Sequence, residues 1–433
     1  MIGNSRKIVN RSKAKKSITS KRLTDNVSFI VLTLLIFWGS GSVYYLQNTY
    51  ISVIAICVCL ILIALHNLFR RYPGRSIRLK EQHALSVLIY LVIIVLLPCF
   101  WGFVSFYYFY VCGVMLPLFF IIIALMEKRA VLNEFIWMFV SISTVFAVIA
   151  LLLWLFGSIL GIIRPTGYQT LYWGENFARI NSYYNIYFET QNASLDLFGI
   201  HLGVRNDFVF PESPVCCFIF MSASVLNELY INSTKSRIIL LLMILSTLST
   251  TGYLYMGMFG IYMLLNLKTK SSIAKVIKMI FVMILGGVVI CLVYSLLTAK
   301  LQTGSGITRA NKILTEWQAF LESPIFGHGF DEYTNGSSNS LTALMADGGL
   351  LLWIIYYYPL AFILISRKYK VKFKSIGLIF YCVFAFTVAQ YSMITAAMIA
   401  IFLLHNPNSN DDQVVIRRED KDGREILNCD ASV

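Results

Sequence analysis

Long apolar runs separated by short polar segments recur along almost the whole chain. Uncharged runs near 20 residues predict membrane-spanning helices at about 27–46, 50–69, 84–102, 107–126, 131–157, 213–231, 276–298 and 341–366. Residues 238–267 and 375–404 are also uncharged, and each is predicted to form two short spans with a joint, near 246–252 and near 390–392 respectively. The apolar positions do not alternate as in barrel strands, so the pattern predicts an all-α polytopic membrane protein with about twelve spans.

Basic residues are distributed unequally between the two sides of this topology. Of the 36 lysines and arginines, only six fall on the side opposite the termini: Arg164, Arg179, Arg205, Lys300, Arg309 and Lys312. Basic segments stay in the cytoplasm, so both termini are predicted to be cytoplasmic. The net charge of +14 therefore reflects membrane topology and gives no reason to expect a nucleic-acid partner.

The polar segments divide the chain into a basic cytoplasmic tail (1–26), one transmembrane domain (27–404) and a second tail (405–433) that is predicted to be disordered. Two large loops, about 158–212 (the first outer loop) and about 299–340 (the second outer loop), lie on the far side. Composition agrees with this organisation, because 58% of the residues are hydrophobic and only 13% are charged. The cysteines lie mostly in apolar segments and show neither a disulfide framework nor a metal-binding spacing.

The second outer loop contains an amphipathic helix followed by a glycine-flanked turn. Apolar residues recur at helical spacing on one side of it, with charged residues on the other: Ile313, Leu314, Trp317, Phe320 and Leu321 against Arg309, Lys312 and Glu316. Pro324 predicts the end of this helix, because proline cannot continue it. Gly327-His328-Gly329 then forms a turn where backbone can approach a ligand or another segment closely. A structured connector between spans is an equally good interpretation of the pattern.

The first outer loop is rich in aromatic and amide side chains, including Tyr172 and Trp173. Aromatic rings stack on the C–H faces of sugars, and amides bond sugar hydroxyls. The same composition is typical of the aromatic belt at a membrane interface, so both interpretations stay open for this loop.

The charged residues of the two outer loops suit chemistry on a lipid-linked diphosphate. Arginines bind diphosphates through charge-assisted bidentate hydrogen bonds, and an acid or a histidine can deprotonate an acceptor hydroxyl. The sequence contains no nucleotide-binding signature. A transporter is the alternative of a different class, because the two joints within apolar stretches resemble the broken helices of transporters.

Three sets of residues, within about 200–360, resemble the Wzy-type O-antigen polymerases and, more distantly, the O-antigen ligases. They are Arg205 with Phe210-Pro211-Glu212-Ser213-Pro214; Leu248-Ser249-Thr250-Thr251-Gly252-Tyr253; and Arg309, Trp317, Phe320, Pro324, Gly327, Gly329 and Phe330, continued by Ser338-Asn339 and Asp347-Gly348-Gly349-Leu350. The ligase pattern has a histidine where this chain has Ser338 and a final glycine where it has Leu352. These departures favour a polymerase over a ligase. The paired arginine–glycine motifs proposed for some polymerases are absent as well.

The resemblance implies a GT-C-like glycosyltransferase that transfers an undecaprenyl-diphosphate-linked glycan onto a new lipid-linked repeat unit at the periplasmic face of the bacterial inner membrane. It implies no cofactor and no metal. Its expected partners are the lipid-linked oligosaccharide, membrane lipids, a chain-length regulator and a flippase. Arg205 and Arg309 are expected to bind diphosphates.

The remaining roles implied by the resemblance concern the acceptor and the sugars. Glu212 is expected to act as the base or to orient Arg205, and His328 is the alternative base. Asn339, Tyr172 and Trp173 are expected to bind sugars. For Glu212, a carboxylate at a helix N-terminus that only stabilises the helix is the structural alternative, and for His328 it is a residue of the turn.

Overall fold

The computed structural model describes residues 26–71, 92, 97, 109–126, 129–173, 176–190, 196–197, 200–201, 204–269, 271–301, 304–329, 339–367 and 369–404. Both predicted tails and nearly all of the predicted span at 84–102 lie outside these residues, and so does Ser338. The helices are α1 (Asn26–Gly39), α2 (Val43–Gln47), α3 (Thr49–Arg71), α4 (Leu116–Leu125), α5 (Arg129–Leu153), α6 (Ser213–Leu226), α7 (Thr234–Ser246), α8 (Thr250–Asn266), α9 (Ser272–Leu301), α10 (Gly304–Glu322), α11 (Ser340–Ile365), α12 (Val371–Ala385) and α13 (Met393–Leu404). Wider π-helical turns precede α4 (Phe109–Met115) and follow α5 (Trp154–Ile159) and α6 (Asn227–Ile231).

The described chain is mostly helical, and several of its helices suit a bilayer. Within the described residues, four helical stretches are long and apolar enough to cross a membrane: Thr49–Leu68, Val131–Ile159, Ser213–Ile231 and Ser340–Ile365. Shorter apolar helices cover Asn26–Gly39, Gly113–Leu125 and Met393–Leu403. The predicted all-α membrane class is confirmed at this level.

α6 is the central helix of the bundle. It contacts α5, α7, α8, α12 and α13, and nearly all its side chains are buried. Its sequence mixes Cys, Ser and Ala with Phe, Ile and Met, and small residues of this kind allow neighbouring helices to approach closely. The segment that leads into α6 therefore enters the middle of the bundle.

Both predicted joints within the apolar stretches are confirmed. α7 ends at Ser246 and α8 begins at Thr250, and Leu248 between them has a left-handed backbone (φ 47°). The Thr247 hydroxyl donates a hydrogen bond to the Ile244 carbonyl (2.7 Å) at the end of α7, which satisfies one of the carbonyls that a helix end leaves open. The second joint separates α12, which ends at Ala385, from α13, which begins at Met393.

α11 departs from the prediction of one continuous span at 341–366. Gly348 and Gly349 have non-helical backbone angles, and Gly349 is left-handed (φ 58°). The break is closed by the turn after α10: the His328 and Gly329 amides donate to the Ala346 and Asp347 carbonyls (3.0 and 2.8 Å). These bonds supply partners that broken backbone needs inside a membrane protein. A hydropathy pattern misses the break, because the glycine pair is flanked by apolar residues on both sides.

The first outer loop contains β-structure that the sequence pattern did not predict. β1 (Gly167–Trp173), β2 (Asn176–Tyr183) and β3 (Tyr187–Glu189) form an antiparallel sheet in the order β1-β2-β3, and β4 (Asp196–Leu197) pairs with β5 (Ile200–His201). The Phe188 amide donates to the Phe208 carbonyl (2.8 Å), which joins β3 to the segment that leads into α6. The all-α prediction therefore holds for the apolar part of the chain but is wrong for this loop.

Candidate functional site

Arg205 is the residue at which three distant segments meet. It precedes α6, whereas Tyr253 lies in the first turn of α8 and Arg309 lies in α10. Burial lowers the pKa of the Arg205 guanidinium, Asp207 raises it, and the positive charge of Arg309 lowers it further, with Tyr253 acting in the opposite direction. Such mutual effects require charged groups that lie near one another. The three sets of residues singled out in the sequence therefore converge in space.

Asn206 fixes the backbone beside Arg205 to the end of α7. Its amide N–H donates to the Ser246 carbonyl (3.1 Å), and its side-chain nitrogen donates to the Ser246 hydroxyl (3.0 Å). Asn206 is fully buried. Arg205 is thus held at the joint between α7 and α8, which explains why Tyr253 of α8 lies near it.

Asp207 is the carboxylate of this loop whose charge acts on Arg205. It is fully buried, and it accepts hydrogen bonds from the hydroxyls of Thr190 (2.7 Å) and Ser213. The sequence analysis counted Asp207 only among the acids of the loop and gave it no role. The signal that could have found it is an acid two residues after an arginine at the start of a span.

Glu212, the predicted base, stands at the N-cap position of α6. It is half-buried, and its side chain makes no hydrogen bond to the first turn of the helix. It lies on the same short segment as Arg205, but it does not appear among the charges that shift the pKa of that arginine. Its catalytic role stays a prediction.

α10 has the two faces that the sequence predicted, and its polar face is turned toward the protein. Leu314, Trp317 and Leu321 are 61%, 43% and 61% exposed, whereas Glu316 is 0% exposed. The predicted all-apolar stripe is not uniform, because Phe320 is buried. In a water-soluble protein an exposed apolar face would be unfavourable, so this orientation indicates that the outer face of α10 meets lipid. Arg309 and Lys312 are half-buried on the inner side.

Glu316 connects α10 to the start of α11. It lies two turns beyond Arg309 on the same side of the helix, and the Thr342 hydroxyl donates a hydrogen bond to it. Thr342 is in the first turn of α11, where a helix favours negative charge. The sequence analysis placed Glu316 on the polar face but did not expect it to be buried against another helix.

Asn339, a predicted sugar-binding residue, caps α11. Its side-chain oxygen accepts hydrogen bonds from the Thr342 amide (2.9 Å) and from the Thr342 hydroxyl (3.1 Å). This geometry is that of an N-cap residue. The side-chain oxygen of Asn339 therefore has a structural task at the point where α10 and α11 meet.

His328, the alternative base, lies in the turn between α10 and the break of α11. Its Nε2 atom is 2.9 Å from the Ala319 carbonyl, near the end of α10, and 3.9 Å from a Glu322 carboxylate oxygen. These contacts direct the imidazole toward the last turn of α10, where a cation is favoured. The turn residue that the sequence analysis gave as the structural alternative matches this placement.

Tyr172 and Trp173 end β1. Tyr172 is opposite Phe177 and Trp173 is opposite Asn176 in the β1–β2 pair. The sheet thus places both at the end of β1 that adjoins the β1–β2 connection, and their role in sugar binding stays a prediction.

Two buried polar atoms border the Arg205 segment and the α7–α8 joint. The side-chain oxygen of Asn206 and the hydroxyl of Ser249 have no hydrogen-bond partner among the described residues. Buried polar atoms are normally paired, so these atoms are available to a polar ligand. In the described part of the chain, no group of three or more His, Cys, Asp or Glu side chains is placed to hold a metal ion.

Comparison with protein-family models, with curated proteins and with solved structures found no match for this chain.

Proposed function

We propose that this chain is an O-antigen polymerase, a glycosyltransferase of the bacterial inner membrane. The observation that carries the proposal is the pairing of Arg205 with Arg309 in a partly buried site built by the two outer loops. Two neighbouring guanidinium groups repel each other, and an anion with more than one charge relieves that repulsion. A lipid-linked diphosphate is such an anion, and it matches the planar donors of arginine.

The proposed topology has about twelve spans with both termini in the cytoplasm, so both outer loops face the periplasm. Lipid-linked repeat units are used on that side of the membrane. The exposed apolar face of α10 would lie in the outer interface of the bilayer and would hold Arg309 at the depth of lipid headgroups. Arg205 reaches the same place because the segment before α6 enters from the first outer loop.

In the proposed reaction, the hydroxyl oxygen of the incoming repeat unit forms a bond to the anomeric carbon of the growing glycan. The bond between that carbon and undecaprenyl diphosphate breaks, and the diphosphate leaves with the electron pair. Arg205 and Arg309 stabilise the charge that develops on the leaving group. Glu212 or His328 receives the hydroxyl proton, and Asn339, Tyr172 and Trp173 contact the sugars. A chain-length regulator and a flippase are the expected protein partners.

A transporter or flippase of lipid-linked glycan is the second candidate, and one observation favours it. The break in α11 carries the buried Asp347, and the Tyr391 hydroxyl, from the joint between α12 and α13, donates a hydrogen bond to it. Broken helices with a buried acid are typical of transporter binding sites. A ligase is the third reading, and it differs from a polymerase in using a lipid acceptor outside the polymer.

The test is a surface-polysaccharide gel of a deletion strain that carries wild type, Arg205→Ala, Arg309→Ala or Arg164→Ala at equal membrane levels. Arg164→Ala is the matched control, because Arg164 is an exposed arginine of the same outer loop. Loss of one transition-state-stabilising donor costs about 100- to 1,000-fold in rate. We therefore expect the ladder of long chains to collapse to lipid with a single repeat in the Arg205 and Arg309 variants, and to persist in the control.

Each alternative gives a different result in the same strains. A ligase predicts that no lipid acceptor carries any repeat. A transporter predicts lipid-linked repeats that accumulate on the cytoplasmic side. A full ladder in the deletion strain itself would refute the polymerase proposal.

A further inference from the structure

Asp207 is a buried carboxylate with a complete set of hydroxyl partners. It is 0% exposed. Thr190 donates to one of its oxygens (2.7 Å), and Ser213 donates to the other. A carboxylate taken out of water is costly unless hydrogen bonds and an opposite charge compensate it. Both hydroxyls favour the ionised form, since an ionised carboxylate only accepts hydrogen bonds.

The opposite charge that Asp207 meets is Arg205. This arginine is partly buried and lies near a second positive charge, Arg309, and both conditions oppose a charged guanidinium. Asp207 acts against both. It is therefore suited to neutralise part of the repulsion between the two arginines while no anion is bound.

The position of Asp207 is set by three separate elements. Thr190 directly follows β3, and Ser213 is the first residue of α6. Thr190 also donates to the Phe210 carbonyl (3.1 Å), so the sheet holds the loop at two points. Phe208, next to Asp207, has a left-handed backbone (φ 51°), a conformation that persists only where the surroundings impose it.

We propose that Asp207 is a positioning residue, held by Thr190 and Ser213, that fixes Arg205 opposite Arg309. The proposal gives the outer sheet a task, because β3 reaches the arginine through Thr190 and Asp207. The effect on glycan transfer rests on the proposed function, whereas the coupling between Asp207 and Arg205 does not.

The first experiment is a double-mutant cycle on the thermal stability of the purified full-length protein in detergent. It uses Asp207→Asn, Arg205→Gln and the double variant, with Asp207→Asn and Arg164→Gln as the control cycle. Residues that interact give non-additive effects, and distant residues give additive ones. We expect the fall in Tm of the Asp207–Arg205 double variant to be smaller than the sum of the two single falls, and the control cycle to be additive. Additive shifts in both cycles would overturn the proposal.

If Asp207→Asn does not fold, Thr190→Val takes its place in the cycle, because it removes one hydroxyl and leaves the charge in place. A second readout separates positioning from simple stabilisation. In the polysaccharide gel, Thr190→Val should shorten the ladder at equal membrane level, and Thr190→Ser, which keeps the hydroxyl, should restore it. A shortened ladder in both variants would contradict the assigned role of the hydroxyl.

The two proposals fail in different ways. Coupling in the stability cycle together with an unchanged ladder for Arg205→Ala would leave the Asp207 assignment standing and remove the polymerase proposal. A collapsed ladder for Arg205→Ala together with additive stability would do the reverse.

Discussion

Replacing Gly327 by alanine would place a methyl group inside a crossing of two backbone segments. A Cβ built at Gly327 lies 2.4 Å from the carbonyl carbon and oxygen of Asp347 and 2.5 Å from the Gly348 nitrogen. Ordinary contacts of a Cβ begin at 3.4 Å, so the segments would have to separate by about 1 Å. None of the nearest atoms belongs to a flexible side chain, so a rotamer change cannot relieve the clash.

Two terms add to the cost of this substitution. Gly327 is left-handed (φ +66°), and an L-residue in that conformation costs about 1–2 kcal/mol. A separation of about 1 Å would also break the bonds from the His328 and Gly329 amides to α11, which are 3.0 and 2.8 Å long. Each buried group left unpaired costs about 1–3 kcal/mol. The total is about 3–8 kcal/mol.

Gly161→Ala is the matched control, because it separates strain from clash. Gly161 has nearly the same backbone angle (φ +62°), but nothing lies within 4 Å of its Cβ position. Its replacement should cost only the strain term of about 1–2 kcal/mol. The assay is thermal unfolding of the detergent-purified protein, followed by fluorescence-detected size exclusion. Equal falls in Tm for the two variants would refute the reasoning, since the crossing would then contribute nothing.

Two further substitutions test buried carboxylates. Thr342→Val should destabilise the protein by about 1–3 kcal/mol, because Glu316 would lose a buried donor; Thr342→Ser should retain most of the stability, and an equal loss in both would contradict this. Glu228→Gln should cost about 3–5 kcal/mol, because the nearly buried carboxylate pairs with Arg237 (2.7 Å) and Lys372 (3.2 Å). Lys372→Ala should cost less than about 1 kcal/mol, since this lysine is largely exposed, and thermal unfolding of all four variants gives the ranking.

Local signals in the sequence predicted the ends of several helices correctly. Pro324 follows the observed end of α10 at Glu322, because proline removes an amide donor and clashes with the preceding turn. The joint at 246–252 was found from the positive-inside pattern, since one span cannot have both ends in the cytoplasm. Both predictions depend on residues that are close together in the chain.

Other features could not be read from local patterns. The strands of the first outer loop have short, irregular alternation, and their pairing depends on contacts with Phe208 and neighbouring residues. The break in α11 requires Gly349 to meet the backbone at Ile325, 2.4 Å from the Cβ position. Hydropathy contains no information about such a crossing, because both segments are apolar or small.

The sequence by itself determined the membrane class, the side on which charge collects and the amphipathic character of α10, because each follows from transfer free energy and helical periodicity along a continuous stretch. Only the tertiary structure decided that the polar face of α10 turns inward, that Arg309 meets Arg205 and that Asp207 is the acid beside them. These relations join residues far apart in the chain. Their geometry is set by how α6, α10 and the outer sheet pack, and a pattern of residue types does not encode that packing.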